Sequence, residues 1–324
     1  MKEKKRVVII DQLNLFFRNY IVNPSLSSNG MPIGGLKGCI QSLQKIVRES
    51  KPDVVVVCWD GAGGSKKRKL IKKDYKAGRK PIRLNRDIRH LSEQQEIQNK
   101  IWQQTRLIEY LNETPVIQFM FDGTEADDVI GFICQHPEFE AWEKLVVSSD
   151  KDFFQLLNDT TVLIRPVQKE ILNKNSILEK FQIHPNNFAM ARAMAGDKSD
   201  NLEGVGSIGL KTVVRRFPFF ANEKPVTFEE VLSHCREQLE EKNIKAYKSV
   251  IDNEKILRRN YDMMQLYAPS LSIAAKKEIQ ETLRDADPGF NRTEIVKMMT
   301  QDGFGEINFT ELFRHFNKMC VDSA

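Results

Sequence analysis

Four short apolar runs in this chain lead directly into acids, and that pattern constrains the fold more than any other feature. Residues 7–10 (VVII) run straight into Asp11, and residues 54–58 (VVVVC) reach Asp60 with only Trp59 between. Residues 145–147 (LVV) lead through Ser148 and Ser149 to Asp150, with Asp152 two positions on. Residues 116–121 lead to GTEADD, which carries Glu125, Asp127 and Asp128. Runs this short and this rich in Val and Ile fit strands of a largely parallel sheet, buried on both faces. A fifth run, residues 162–164, reads as an outer strand. In a parallel sheet the carboxyl ends share one edge, where open α/β folds place their sites. Acids far apart in the chain therefore converge on one cleft.

The segments between these runs supply helices. Residues 36–49 have a helical apolar rhythm after the Gly34-Gly35 punctuation, and residues 93–112 form a more polar candidate. The alternation predicts an α/β domain over residues 1–175. Residues 176–324 read as mostly helical, clearest at 176–181, after Pro185, and at 211–217, 228–241 and 274–283. No repeat or low-complexity linker separates the halves, so a helical module should pack on the α/β domain.

With 324 residues, 41% of them hydrophobic, the chain can fill a sizeable core. The balance of 49 Lys and Arg against 44 Asp and Glu leaves a formal charge of only +5, which alone says little about partners. The five cysteines are scattered, with no close pair to suggest structural zinc and an odd number for a disulfide scaffold. Cys39, Cys58 and Cys134 lie in apolar surroundings and read as buried thiols. The opening MKEKKRVVII reads as a first strand, not a secretory signal, and no later stretch is long enough to span a bilayer. A soluble cytoplasmic monomer with no membrane contact is expected.

Asp197 and Asp200, in AGDKSDN, add a further acidic pair. So many carboxylates in one cleft repel unless cations or bound protons offset them. An all-oxygen set without nearby Cys or His suits Mg²⁺ or Mn²⁺ better than zinc. Two such ions can activate water, orient a phosphate and stabilise charge on a leaving oxygen. Asp127 also has a structural reading, because Thr124 with Asp127 three residues later spells a capping box. On an ideal helix Glu125 shares a face better with Asp128 than with Asp127, so the choice between them stays open.

The basic features point to a polyanion. Between Lys66 and Lys80 stand Lys66, Lys67, Arg68, Lys69, Lys72, Lys73, Lys76, Arg79 and Lys80 against a single Asp74. Their place just beyond Asp60 favours a phosphate-facing segment beside the acidic edge. Tyr75 suits either stacking on a base or packing, and Arg83, Arg86 and Arg89 extend the positive field. The segment has little apolar content and is expected to order when DNA arrives. A second feature is GVGSIGLKT, with Gly204, Gly206, Ser207, Gly209, Lys211 and Thr212. Its glycines allow a turn to approach phosphate closely, while the following helix offers backbone N–H groups and Lys211. Without a βαβ context it is not a dinucleotide fingerprint.

Together these residues resemble the 5′ nuclease superfamily of flap endonucleases and 5′–3′ exonucleases, most closely the bacteriophage RNase H-type 5′ nucleases. The resemblance covers nearly the whole chain. It implies a PIN-like 5′ nuclease core and a helical module whose GVGSIGLKT is a helix-three-turn-helix that holds duplex DNA. The family's usual Pro near Gly206 or Ser207 is missing, which alters the rigidity expected of that turn. By the resemblance, Asp11, Asp60, Glu125, Asp127, Asp150, Asp152, Asp197 and Asp200 occupy metal-ligand positions, with Asp128 an additional acid. Two Mg²⁺ ions are implied, with Mn²⁺ as a substitute and K⁺ a candidate at the helix-three-turn-helix.

Residues 64–90 then resemble the basic gateway that guides a 5′ strand past the metals. Arg68, Lys69, Lys72, Tyr75, Lys76 and Arg79 are its DNA-binding candidates. Lys69 and Arg79 are placed nearest the scissile phosphate, and Asp150 is the catalytic acid approaching both ions. The implied enzyme cleaves 5′ flaps, nicked or 5′-ended duplexes and RNA–DNA hybrids, in replication primer removal. If it is encoded by a bacteriophage, it works in the host cytoplasm. The C-terminal region has no strong clamp-binding signature, which leaves contact with a replication clamp or single-strand-binding protein open. Two other readings stand beside this one: a PIN-like single-strand ribonuclease, and a DNA-binding protein whose carboxylates serve only packing.

Overall fold

The computed structural model describes residues 4–78, 91–206, 208–241, 243–285 and 289–321. The expected strands form as β1 (Arg6–Asp11), β2 (Val54–Asp60), β3 (Ile117–Phe121), β4 (Glu143–Val147) and β5 (Thr161–Arg165). They pair in parallel in the order β3-β2-β1-β4-β5. A short β6 (Glu170–Leu172) joins β5 antiparallel and takes the edge. The run at 162–164, expected at the sheet's edge, therefore lies one strand in. β6 has only three residues (EIL), too few to register as an apolar run.

The first-half helices are α1 (Gln12–Val22), α2 (Gly34–Ser50), α3 (Lys66–Ile71), α4 (Glu93–Asn112) and α5 (Ala126–Cys134). Then come α6 (Lys174–Phe181), α7 (Pro185–Ala195), α8 (Leu210–Arg216), α9 (Phe228–Glu241) and α10 (Lys245–Asp252). The last four are α11 (Glu254–Met264), α12 (Ile273–Arg284), α13 (Arg292–Gln301) and α14 (Phe309–Val321). α4 starts with a full capping box between Ser92 and Gln95. α2 differs from expectation, because Gly34 and Gly35 are its first turn instead of its boundary. A Cβ on Gly35 would stand 2.7 Å from the Phe16 ring, so the missing side chain is what lets α1 and α2 pack closely.

β1 shows why the sheet is central. Val7, Val8, Ile9 and Ile10 are all fully buried, and they feed two different cores in alternation. Burying such a side chain contributes roughly 1.5–3 kcal/mol relative to leaving it in water. Val7 and Ile9 share one core with Val129 of α5, Phe188 of α7, Val213 of α8, Leu257 of α11 and Ile279 of α12. Val8 and Ile10 share the other with Phe16, Leu43 and Leu107 of α1, α2 and α4. Ile295 of α13 and Phe316 of α14 join that second core. Residues 176–324 thus divide: α7 to α12 pack on one face of the sheet, while α13 and α14 cross to the other. Cys39, Cys58, Cys134 and Cys235 are buried free thiols. Among the described residues, no helix is long and apolar enough to cross a membrane.

Candidate active site

The strand order creates the cleft. The chain steps from β1 to β2 to β3 on one side and returns to β4 on the other, so direction switches between β1 and β4. Asp11 ends β1, Asp60 ends β2, and residues 148–152 leave β4 at the same sheet edge. Asp11 is also the N-cap of α1, its Oδ1 accepting from Asn14 N at 3.3 Å while Oδ2 accepts from Ser148 Oγ at 2.9 Å. Asp60 Oδ1 accepts from Ala126 N at 2.7 Å, which ties β2 to the start of α5.

The carboxylates feel one another. Loss of water around Asp11 pushes its carboxyl up to about 7, with the charges of Asp60 and Asp150 adding to the rise and the Ser148 hydrogen bond opposing it. Asp60 is reached by solvent, yet protein surrounds its carboxyl; desolvation raises it, and Asp127 adds to that. Asp152 is pushed up to about 7 by desolvation, then by Asp150, Asp127 and Asp200, against Arg192. Burial would raise Asp197 too, but hydrogen bonds from Ser199 and the charge of Arg192 bring it down. Arg192 Nη2 bridges Asp152, at 2.8 Å, and Asp197, joining the β4 loop to α7. Asp11, Asp60, Asp127, Asp150, Asp152 and Asp200 therefore form one electrostatic network, with Asp197 joined through Arg192.

α5 separates Asp127 from Asp128. Its N-cap is Glu125 with no side-chain cap, so the Thr124–Asp127 capping box does not form. The Asp128 amide bonds to Glu125 O instead, and Asp127 is left half-buried at the cleft. Asp128 turns inward, where its Oδ1 accepts from Ser270 N at 2.8 Å, ahead of α12. Glu125 is buried among donors: Lys76 Nζ at 2.6 Å, the Tyr75 hydroxyl at 3.4 Å and Arg68 Nη1.

The described part of the basic segment is not a free arch. Arg68 is 9% exposed, with its guanidinium on Glu125, on Asp127 at 3.2 Å and on Asp128 at 3.4 Å. Tyr75 is buried in a small core with Leu202, Met263 and Met264. Arg68 thus neutralises the acids, and Tyr75 takes the packing that the sequence left open beside base stacking. Lys76 N donates to Asp200 O at 3.1 Å, and Asn201 Nδ2 donates to Asp74 O and Ala77 O at 3.0 and 2.9 Å. Lys72 pairs with Asp74 at 2.8 Å and Glu203 at 3.1 Å. For residues 66–78, the expectation of order only with DNA did not foresee the ties to Asp200, Asn201 and Glu203, over a hundred positions away. Lys69 is exposed. Arg79, Lys80, Arg83, Arg86 and Arg89 lie outside the described residues.

The glycine turn stands next to this segment. A cavity of about 620 Å³ is lined by Lys72, Asp74, Lys198, Asn201, Gly204 and Gly206, among others. Gly206 has φ +72°, a backbone that strains any residue with a side chain, and a Cβ there would crowd Ser249 Oγ. Lys211 is exposed, whereas the Thr212 amide is spent on Gly209 O at 2.8 Å. Ser207 lies outside the described residues.

The donor set suits a hard divalent cation. It is all oxygen, it is partly stripped of water, and its members raise one another's pKa, so positive charge would relieve it. Among the described residues, no three acids close into a ready-made cage. Arg68, Lys76 and Arg192 supply cations there, and Mg²⁺ sites keep several waters instead of an all-protein shell. Sequence reasoning missed Arg192, Asn14 and Ser148. Arg192 had a signal, as the one cation in the apolar helix FAMARAMA, and so did Ser148, in the SSD that follows β4.

The family model of the 5′–3′ exonuclease, N-terminal resolvase-like domain, matches residues 6–182. A 5′–3′ exonuclease of Buchnera aphidicola subsp. Schizaphis graminum is 30% identical over 229 residues, which are 69% of this chain and 74% of that protein. The 5′–3′ exonuclease of Aquifex aeolicus is 28% identical over 65% of this chain and 68% of its own length. DNA polymerase I of Bacillus subtilis is 26% identical over 95% of this chain, which spans only 32% of that polymerase. Among solved structures, the bacteriophage T5 flap endonuclease in a pseudo-enzyme–product complex with DNA and metal ions superposes with a TM-score of 0.63. It is 17% identical, and the match covers 98% of this chain and 99% of that one. The T5 5′-exonuclease with bound zinc gives 0.62 at 19% identity, over 93% and 98% of the two chains. At such identities the likeness is one of fold.

Proposed function

This chain belongs to the 5′–3′ exonuclease family, and from that premise we propose that it is a metal-dependent, structure-specific 5′ nuclease. Its substrates are 5′ flaps, nicked or 5′-ended duplex DNA and RNA–DNA hybrids, and its role is the removal of replication primers. The observation that carries the reading is the convergence of acids from β1, β2, α5, the β4 loop and the α7–α8 connection on one sheet edge. The likeness to a third of a DNA polymerase I and to a flap endonuclease crystallised with DNA and metal supports the substrate class.

Asp11, Asp60, Asp127 and Asp150 are the side chains to hold one divalent cation, with Glu125 joining once Lys76 or Arg68 gives way. Asp152, Asp197 and Asp200 serve a second, with Asp150 shared. Bound there, Mg²⁺ or Mn²⁺ supplies positive charge to the scissile phosphate and acidifies the attacking water. Lys69 and Arg79 meet the reacting phosphate, and their charge stabilises it as negative charge develops. Residues 204–212 hold duplex phosphates and so set which phosphodiester reaches the acids, without reading base sequence. Asp128 serves the fold. A K⁺ ion at the turn would reveal itself as tighter duplex binding in potassium than in lithium.

The test compares a 5′-flap DNA with an unstructured RNA of equal length, at matched ionic strength, in Mg²⁺ and in EDTA. The flap should be cut near its junction in Mg²⁺ only, leaving a 5′ phosphate. Preferential cleavage of the RNA would replace the substrate assignment, and binding without cleavage in either Mg²⁺ or Mn²⁺ would reject the enzyme.

A further inference from the structure

Ser148 stands where β4 ends, 1% exposed, between two of the acids. Its backbone amide donates to Ile164 O at 3.1 Å, which keeps the residue on the sheet. Its hydroxyl oxygen lies 2.9 Å from Asp11 Oδ2 and 3.1 Å from Asp150 N. The Asp150 amide can only donate, so the hydroxyl's single hydrogen must point at Asp11. One small side chain therefore accepts from the backbone of one acid and donates to the carboxylate of another. A second tie runs beside it. Asn14 Oδ1 accepts from Ser149 N at 3.0 Å, while Asn14 N donates to Asp11 Oδ1 at 3.3 Å. Both ties join the β1–α1 junction to the residues that follow β4, where the order of the sheet switches direction.

We propose that Ser148, supported by Asn14, is a positioning residue that sets the spacing of the Asp11 and Asp150 carboxylates for a divalent cation. The inference rests on the metal-dependent reading above and gives Ser148 no contact with substrate. Two anions leaving adjacent strands repel and drift apart unless something between them is bonded to both. Hydrogen bonds to ligating carboxylates fix ligand orientation, so their loss is felt as weaker metal binding. The neighbouring serine is a built-in comparison. Ser149 Oγ is buried with no hydrogen-bond partner among the described residues, so its removal breaks neither tie.

Mn²⁺ binding to the full chain, followed by electron paramagnetic resonance without substrate, tests this. Ser148→Ala should weaken Mn²⁺ binding roughly tenfold or more. Ser148→Thr, which keeps the hydroxyl, should stay within about threefold, and Ser149→Ala within about twofold. Circular dichroism in EDTA establishes that each variant is folded; if Ser148→Ala is not, Ser148→Cys, a near-isostere with a weak donor, takes its place. Unchanged Mn²⁺ binding without the hydroxyl, or equal losses at Ser148 and Ser149, overturns the proposal. Because substrate is absent, a wild-type chain that binds Mn²⁺ but cuts no flap would reject the nuclease reading instead and leave the Ser148 comparison standing.

Discussion

Asp11 and Asp197 face the same cleft but are held by different means. Asp11 ends a strand whose four central residues are fully buried, and its partners, Ser148 and the Asn14 amide, are neutral. Asp197 lies in the α7–α8 connection, and the Arg192 guanidinium is among its partners. The same division runs through the site: Asp60 is tied to the backbone of α5, whereas Asp152 leans on Arg192. Neutral hydrogen bonds on a sheet edge fix geometry without putting a cation in direct contact with the carboxylate. An arginine compensates the charge and must share the acid with any arriving cation. The sheet side is therefore the pre-organised half of the site, and the helical side is the half that adjusts.

The largest effect should distinguish these halves directly. Asp150→Asn, between them, should cut single-turnover cleavage by more than about a hundredfold. Asp200→Asn should cost less, leaving flap binding and one well-occupied Mn²⁺ site in anomalous density. Two full ions with normal cleavage in Asp150→Asn would break the comparison, as would the loss of both ions in Asp200→Asn.

α5 allows a sharper version. Asp127→Asn should lower cleavage by about tenfold or more, 1.4 kcal/mol of barrier per factor of ten, with little change in stability. Asp128→Ala should do the reverse, losing roughly 1–3 kcal/mol in denaturant titration because the buried Arg68 guanidinium and the Ser270 amide both lose a charged acceptor. Equal catalytic losses in the two would return Asp128 to the metal site.

The exposed cation comes next. Lys69→Ala should slow single-turnover cleavage about tenfold while lowering the salt slope of duplex binding by about 1. Matching losses in rate and affinity would place Lys69 in general attraction instead. The smallest effect belongs to the turn. Gly206→Ala should destabilise by about 1 kcal/mol, because an alanine at positive φ is strained, and should weaken duplex binding without altering Mn²⁺ binding. A coupled loss of Mn²⁺ would show that the turn and the acids form one unit.

The amino-acid sequence by itself determined the five parallel strands, the carboxyl edge of the sheet and the acids that follow them. Buried parallel strands must be continuous apolar runs, and a carboxylate directly after such a run has only the carboxyl edge to occupy. It also marked the glycine turn, because few residues besides glycine accept the backbone that Gly206 adopts. Tertiary structure alone decided what each charge meets. Arg68, Lys69 and Lys76 read alike along the chain, yet Arg68 and Lys76 turn in to Glu125 and Lys69 faces solvent. Asp127 and Asp128 are neighbours, yet only Asp128 finds the Ser270 amide, 142 positions away. Ser148 became visible as a bridge only when β4 was set beside β1. Periodicity records which face of an element is buried, whereas a charge or hydroxyl is assigned by partners brought from distant parts of the chain, and that pairing exists only in the folded state.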